Sequence, residues 1–105
     1  MNQKVKNKWV KALRSGKYKK GKGHLKTGDR YCCLGVLCDL YNKKWWDEED
    51  CFLGEGTVLP NEVRDWAGLD NSDPVITKGR SSAAIVNDVH KTSFCKIADY
   101  IEKNL

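Results

Sequence analysis

The stretch YCCLGVLCDLY, residues 31–41, is almost wholly apolar, and the fold turns on whether it is a helix or a strand. Cys33, Val36, Leu37, Leu40 and Tyr41 recur at i, i+3, i+4, i+7 and i+8. That is the spacing of one helical face, so the pattern predicts a buried helix. A strand over residues 31–37 is the alternative, because a short apolar run bounded by turn residues also suits a buried strand. Gly35, inside the run, permits another backbone to approach closely. Asp29 lies just upstream, where its carboxylate is suited to cap the free N–H groups of a helix that ends by Asn42.

Toward the N-terminus, Val5, Trp9, Val10 and Leu13 repeat at helical spacing until Ser15-Gly16 breaks the pattern, predicting an amphipathic helix over residues 3–15 with lysine on its other face. The linking segment GKYKKGKGHLKTGDR is too rich in glycine for a stable helix and reads as a basic loop, with a short strand around His24 to Lys26. Toward the C-terminus, LPNEVRDWAGL at 59–69 reads as a short helix. Pro60 takes its first position, Glu62 its positive end, and Gly68 the stop. Residues 70–82 are polar and turn-rich, a loop and a candidate flap, and AAIVNDVH at 83–90 reads as a short strand or turn. A final helix starts at Thr92 or Ser93, with Phe94, Ile97, Ala98, Ile101 and Leu105 as its apolar stripe. The expectation is a single compact domain over 1–105, α+β and mainly helical, with about four helices and a small hairpin or short strands.

A chain of 105 residues holds one hydrophobic core, and four Trp, four Tyr and two Phe supply much buried area from few side chains. Its net charge of +5 is unevenly spread. Residues 1–30 carry eleven Lys/Arg against Asp29 alone, a net +10, whereas residues 31–105 carry −5. A basic lobe of that kind attracts phosphates, although a solvated lysine-rich helix has the same composition. The consecutive acids Asp47 to Asp50 read as solvated surface that can also pair with the basic lobe of a second subunit, so a homo-oligomer is a candidate assembly. Five cysteines form an odd set behind a charged N-terminus with no secretory apolar core, which suits the cytoplasm. No apolar run reaches the ~20 residues that span a bilayer, so no spanning role is expected, and the narrow apolar stripe of the basic helix argues against a surface-bound one, so no membrane partner is expected.

Four chemistries compete for these residues. Cys32, Cys33 and Cys38 with His24 and His90 offer zinc donors, but their spacing matches no usual zinc pattern, and cysteine is commonly a buried packing residue. Cys32 or Cys33 at a helix N-terminus, with His90 or His24 as base and Asn87 or Asp88 to orient it, composes a nucleophile on paper only. Nucleic acid suits the basic lobe, yet no recognisable reading motif is present. A free nucleotide suits it too: the glycine-rich loop carries Lys20, Lys22, His24, Lys26 and Arg30 for phosphates, although it lacks the G-x4-G-K-[ST] pattern of a P-loop.

Three segments together resemble a family of small uncharacterised proteins encoded by bacteriophages and prophages. They are SGKYKKGKGHLKTGDRYCCLGVLCDLY at 15–41, LPNEVRDWAGL at 59–69 and NDVHKTSFCKIADYIEKNL at 87–105. The first motif of that family often has glutamine where this chain has Lys20 and arginine where it has Lys26. The resemblance carries over no catalytic residues and no cofactor. It implies a phage protein acting in the host bacterial cytoplasm, and phages encode small compact nucleotide-binding oligomers that oppose host immunity by sequestering cyclic or ADP-ribose-like signals.

The reading that unites these features is a counter-defence protein that binds a small phosphorylated nucleotide between the basic loop and the 87–90 turn without cleaving it. Lys20, Lys22, Lys26 and Arg30 are expected to hold phosphates, with His24 beside them. Asn87 and Asp88 are expected to bond ribose or base, and Tyr31 or Trp46 to stack. An enzyme hydrolysing such a signal, with His24 or His90 as acid or base, is one alternative. A module that blocks a host factor by binding protein or nucleic acid is the other.

Overall fold

The structure, a computed structural model, describes residues 1–105. Its elements run α1 (Gln3–Arg14), β1 (Lys19–Lys20), β2 (Lys26–Thr27), β3 (Arg30–Tyr31), α2 (Cys33–Asn42), a 3-10 turn (Lys43–Trp45), α3 (Asn61–Ala67), α4 (Ala83–Asp88) and α5 (Phe94–Asn104). This is an α+β fold, mainly helical, with five α-helices around one core and a three-stranded sheet at its edge. No helix is long and apolar enough to cross a membrane.

From Cys33 onward the 31–41 run is the helix its periodicity predicts, and it is central: every residue from Cys32 to Cys38 is buried. α1 packs on it and on α5, so the stripes Val5-Trp9-Val10-Leu13 and Phe94-Ile97-Ala98-Ile101 close the core from opposite ends of the chain. Trp9 is fully buried, and its indole N–H donates to the Cys33 carbonyl at 2.9 Å, which satisfies the one polar atom of a large apolar side chain. Gly35 has the role its place suggests. A Cβ there would overlap the carbonyl oxygen of Leu25, a buried residue whose backbone crosses the first turn of α2.

Several local expectations are corrected. Asp29 does not cap α2. Arg30 and Tyr31 pair with strands on both sides, parallel to β1 through Lys19↔Arg30 and Lys20↔Tyr31 and antiparallel to β2 through Lys26↔Tyr31 and Thr27↔Arg30. The chain therefore stays extended until Cys32, whose sulfur accepts the Gly35 N–H at 3.4 Å as the N-cap. The strand foreseen at 24–26 is β2 at Lys26–Thr27, and Gly28, with φ +62°, opens the two-residue turn into β3. Pro60 is the N-cap of α3 rather than its first residue, with ψ 153°, while Gly68 ends that helix at φ +70° as its position implies. Residues 83–88 form α4 instead of a strand or turn, capped by Ser82, and they bury Ala83, Val86 and Asn87.

Residues 70–82 are a loop, but they are tied down rather than a free flap. Ile76 is buried, its carbonyl accepts the Asn104 side-chain N–H at 2.8 Å, and Asp73 accepts the Ala84 N–H at 2.9 Å.

Candidate functional site

The sheet is where the basic loop becomes a surface. A cleft of about 440 Å³ is lined by Lys20, Gly21, Lys22, Thr27 and Arg30, with no carboxylate and no apolar side chain on its walls. Three local contacts shape it. Gly21 N–H donates to the Tyr31 carbonyl at 2.7 Å, which prolongs the β1–β3 pairing past Lys20. Arg30 Nη1 donates to the Lys20 carbonyl at 3.2 Å, which anchors one edge of the guanidinium and leaves its remaining donors free. A Cβ at Gly21 would stand 3.0 Å from the Arg30 Cβ, so glycine lets the arginine stem lie against the strand. Asp29, the nearest acid in sequence, is drawn outward to Lys19 at 2.9 Å, and this pairing lowers its pKa. The cleft thus keeps three cations with no counter-charge on its lining.

Of the nine residues singled out from sequence, the cleft gathers Lys20, Lys22 and Arg30. Lys20 is partly committed, since its ammonium donates to the Asn87 carbonyl at 2.7 Å. His24 is exposed and makes no hydrogen bond. Gly21 and Thr27 complete the lining, and neither residue type marks a ligand site in sequence.

Lys26, Tyr31 and Trp46 belong to a different cluster. Tyr31 packs edge-on between Tyr18 and Trp46, with ring centroids 5.2 and 5.9 Å away. Asp39 accepts the Tyr18 hydroxyl at 2.6 Å and the Trp46 indole N–H at 3.1 Å. Burial, with Asp39 second, pushes the Tyr18 phenol well above its usual range. Lys26 pairs with Asp50 at 3.0 Å and lies 5.6 Å from the centre of the Trp46 ring, while Asp50 also accepts the Gly28 N–H at 2.9 Å. These polar atoms fasten the 46–52 segment to the sheet: Lys26 is paired with an acid, and Tyr31 and Trp46 are half-buried against neighbouring rings.

Asn87 is likewise internal. It is fully buried, its Oδ1 accepts the Cys33 N–H at 3.1 Å, and its Nδ2 donates to the Gly21 carbonyl at 2.9 Å and to Asp88 at 2.8 Å. Asn87 thus braces Gly21 at the cleft from inside the core, and half-buried Asp88 holds the same carboxamide nitrogen.

The nucleophile on paper does not assemble. Cys33 is sealed in the core, where its thiol faces the Ala83 carbonyl at 3.6 Å, and burial raises its pKa. Burial also pushes Cys32 up to about 11 despite its capping contact. Neither histidine is hydrogen-bonded to a thiol, and both are exposed. No group of three or more His, Cys, Asp and Glu side chains is placed to hold a metal ion.

Comparison with known proteins yields a family but no further relative. Neither the curated proteins nor the solved structures contain a match. The family model named Domain of unknown function (DUF8296) matches residues 1–105, and the chain belongs to that family.

Proposed function

We propose that this protein is a phage-encoded counter-defence protein that sequesters a small phosphorylated nucleotide in the host bacterial cytoplasm, with the phosphates held in the cleft on the sheet. The observation that carries the reading is the lining of that cleft, where Lys20, Lys22 and Arg30 face one space of about 440 Å³ without an acid among them. A volume of this order suits a small ligand. Guanidinium and ammonium donors suit phosphate oxygens.

Because no apolar side chain lines the cleft, affinity rests on charge and hydrogen bonding, and the Thr27 hydroxyl adds a neutral donor. Asn87 acts from behind by fixing the Gly21 carbonyl. The resemblance of three sequence motifs to phage and prophage proteins supports the biological setting.

The test is thermal unfolding of wild type, Arg30→Ala and Lys22→Ala against cyclic dinucleotides, cyclic oligonucleotides and ADP-ribose derivatives. A ligand that binds only the folded state raises the midpoint by mass action. The expected result is a concentration-dependent rise with one compound, recovered intact, and loss of that rise in Arg30→Ala. No rise with any compound, or an equal rise in Arg30→Ala, would overturn the assignment.

A further inference from the structure

A second cationic surface lies on α1, and it has features that the cleft lacks. Lys4, Lys8 and Lys11 follow one another at i, i+4 and i+7 on the solvent side of the helix, and all three are exposed. Lys17 joins them just past the helix end. The Ser15 hydroxyl, which donates to the Ala12 carbonyl at 2.7 Å, accepts the Lys17 N–H at 3.1 Å and so fixes the backbone that carries it. None of the four makes an ion pair, whereas Arg14, on the side facing α5, is neutralised by Asp99 at 2.7 Å and Glu102 at 3.1 Å.

This arrangement works against the helix that carries it. Cations in a first turn oppose the positive end of the helix dipole, and α1 has Lys4 and Lys6 there with no acid. Lys4 and Lys8 are a like-charged i, i+4 pair, which repels. An isolated helix would gain from acids at these positions, and a bound polyanion supplies the same relief.

The surface is also shaped. A groove of about 330 Å³ between α1 and α2 has Lys8, Lys11 and Lys17 on its rim and Ala12, Tyr18 and Leu40 as its apolar lining. Lys4 to Lys11 spans about 10 Å of helix axis. A DNA duplex presents one charge per ~1.7 Å of its own axis, so several phosphates fall within that reach.

We infer that the α1 face binds the sugar–phosphate backbone of nucleic acid without regard to sequence, as a second binding surface separate from the cleft. Ammonium groups meet the phosphates, and the apolar lining of the groove meets the sugars. Contacts to phosphates and sugars fix position without reading sequence.

The experiment is fluorescence anisotropy with a labelled DNA duplex of about 20 base pairs, titrated across salt concentration with wild type, Lys8→Ala/Lys11→Ala and Arg30→Ala. Alanine at exposed helix positions preserves the helix, and circular dichroism checks that it does. With four ammonium groups on phosphates, log affinity against log salt should have a slope of about −3.6. The double variant should lose about two units of that slope, and Arg30→Ala should keep it. No duplex binding at low salt, a slope unchanged in the double variant, or a slope lost in Arg30→Ala would each overturn the proposal. Binding to anionic vesicles without binding to the duplex would overturn it as well. The nucleotide-induced thermal shift, if present, should survive in the double variant, which separates this surface from the cleft.

Discussion

The Asn87 carboxamide oxygen accepts the Cys33 backbone N–H at 3.1 Å across a sequence separation of 54 residues. One buried amide thereby satisfies a free N–H of the first turn of α2 and, through its nitrogen, holds the Gly21 carbonyl at the cleft. Asn87→Ala leaves the Cys33 N–H buried and unpartnered and releases the Gly21 carbonyl at the cleft. The expected loss is about 2–4 kcal/mol of unfolding free energy, read from urea denaturation with an unchanged m-value. A loss below about 1 kcal/mol would show that the brace is dispensable.

Gly35 faces the Leu25 carbonyl with no room for a methyl group. Since the obstacle is backbone rather than a flexible side chain, Gly35→Ala is expected to cost more than about 3 kcal/mol or to prevent folding. Expression, near-ultraviolet circular dichroism and denaturant midpoints together distinguish these outcomes from tolerance.

Leu53 has φ +51° in the tight turn between Phe52 and Glu55, a conformation that disfavours a branched side chain, and it is 41% exposed. Leu53→Asn before Gly54 creates the Asn-Gly pair that such turns favour. A gain of about 0.5–1 kcal/mol is expected, seen as a higher unfolding midpoint.

The five thiols should divide by burial. Cys32, Cys33 and Cys38 are buried, with their pKa values raised by desolvation, while Cys51 is half-buried and Cys95 exposed. Titration of the native protein with a disulfide reagent at about pH 8 should modify Cys95 first and Cys51 more slowly, because its own pKa is raised by burial and by Asp47 and Glu49. The other three should react only on unfolding. Rapid reaction of Cys32 in the native state would contradict the structure.

Asp50 is held below the usual carboxylate range, chiefly by the Gly28 N–H and next by Lys26. A carboxylate whose folded pKa is depressed takes up protons more readily in the unfolded chain, so its contribution is present above about pH 4 and fades as the pH falls through the folded value. Wild type should therefore lose its stability advantage over Asp50→Asn as the pH is lowered from about 6 to about 2. Urea midpoints that stay a constant distance apart across that range would exclude this linkage.

The helices were legible because their signals are local. The stripes of α1 and α5, the capping serine at 93 and the closing glycine at 68 each depend on neighbours within a few residues. The sheet was only half legible, since strands of two residues carry no periodicity and exist here because β3 finds partners on both sides. That pairing also misled the reading of Asp29, whose sequence position suits a helix cap until the intervening residues are drawn into the sheet. α4 escaped for a related reason: six residues show too little of a helical period to be told from a turn.

The same division governs the site. Composition alone determined that residues 1–30 are strongly cationic, because charge is a property of side chains wherever they are placed. Only the tertiary structure decided which cations remain without acids. It turned Lys26 toward Asp50, Arg14 toward Asp99 and Lys19 toward Asp29, and left Lys22 and Arg30 around one cleft and Lys4, Lys8, Lys11 and Lys17 along one helix. Ion pairing falls off steeply with distance in water, so the effective charge of each lysine depends on partners that are remote in sequence and that only folding brings within reach.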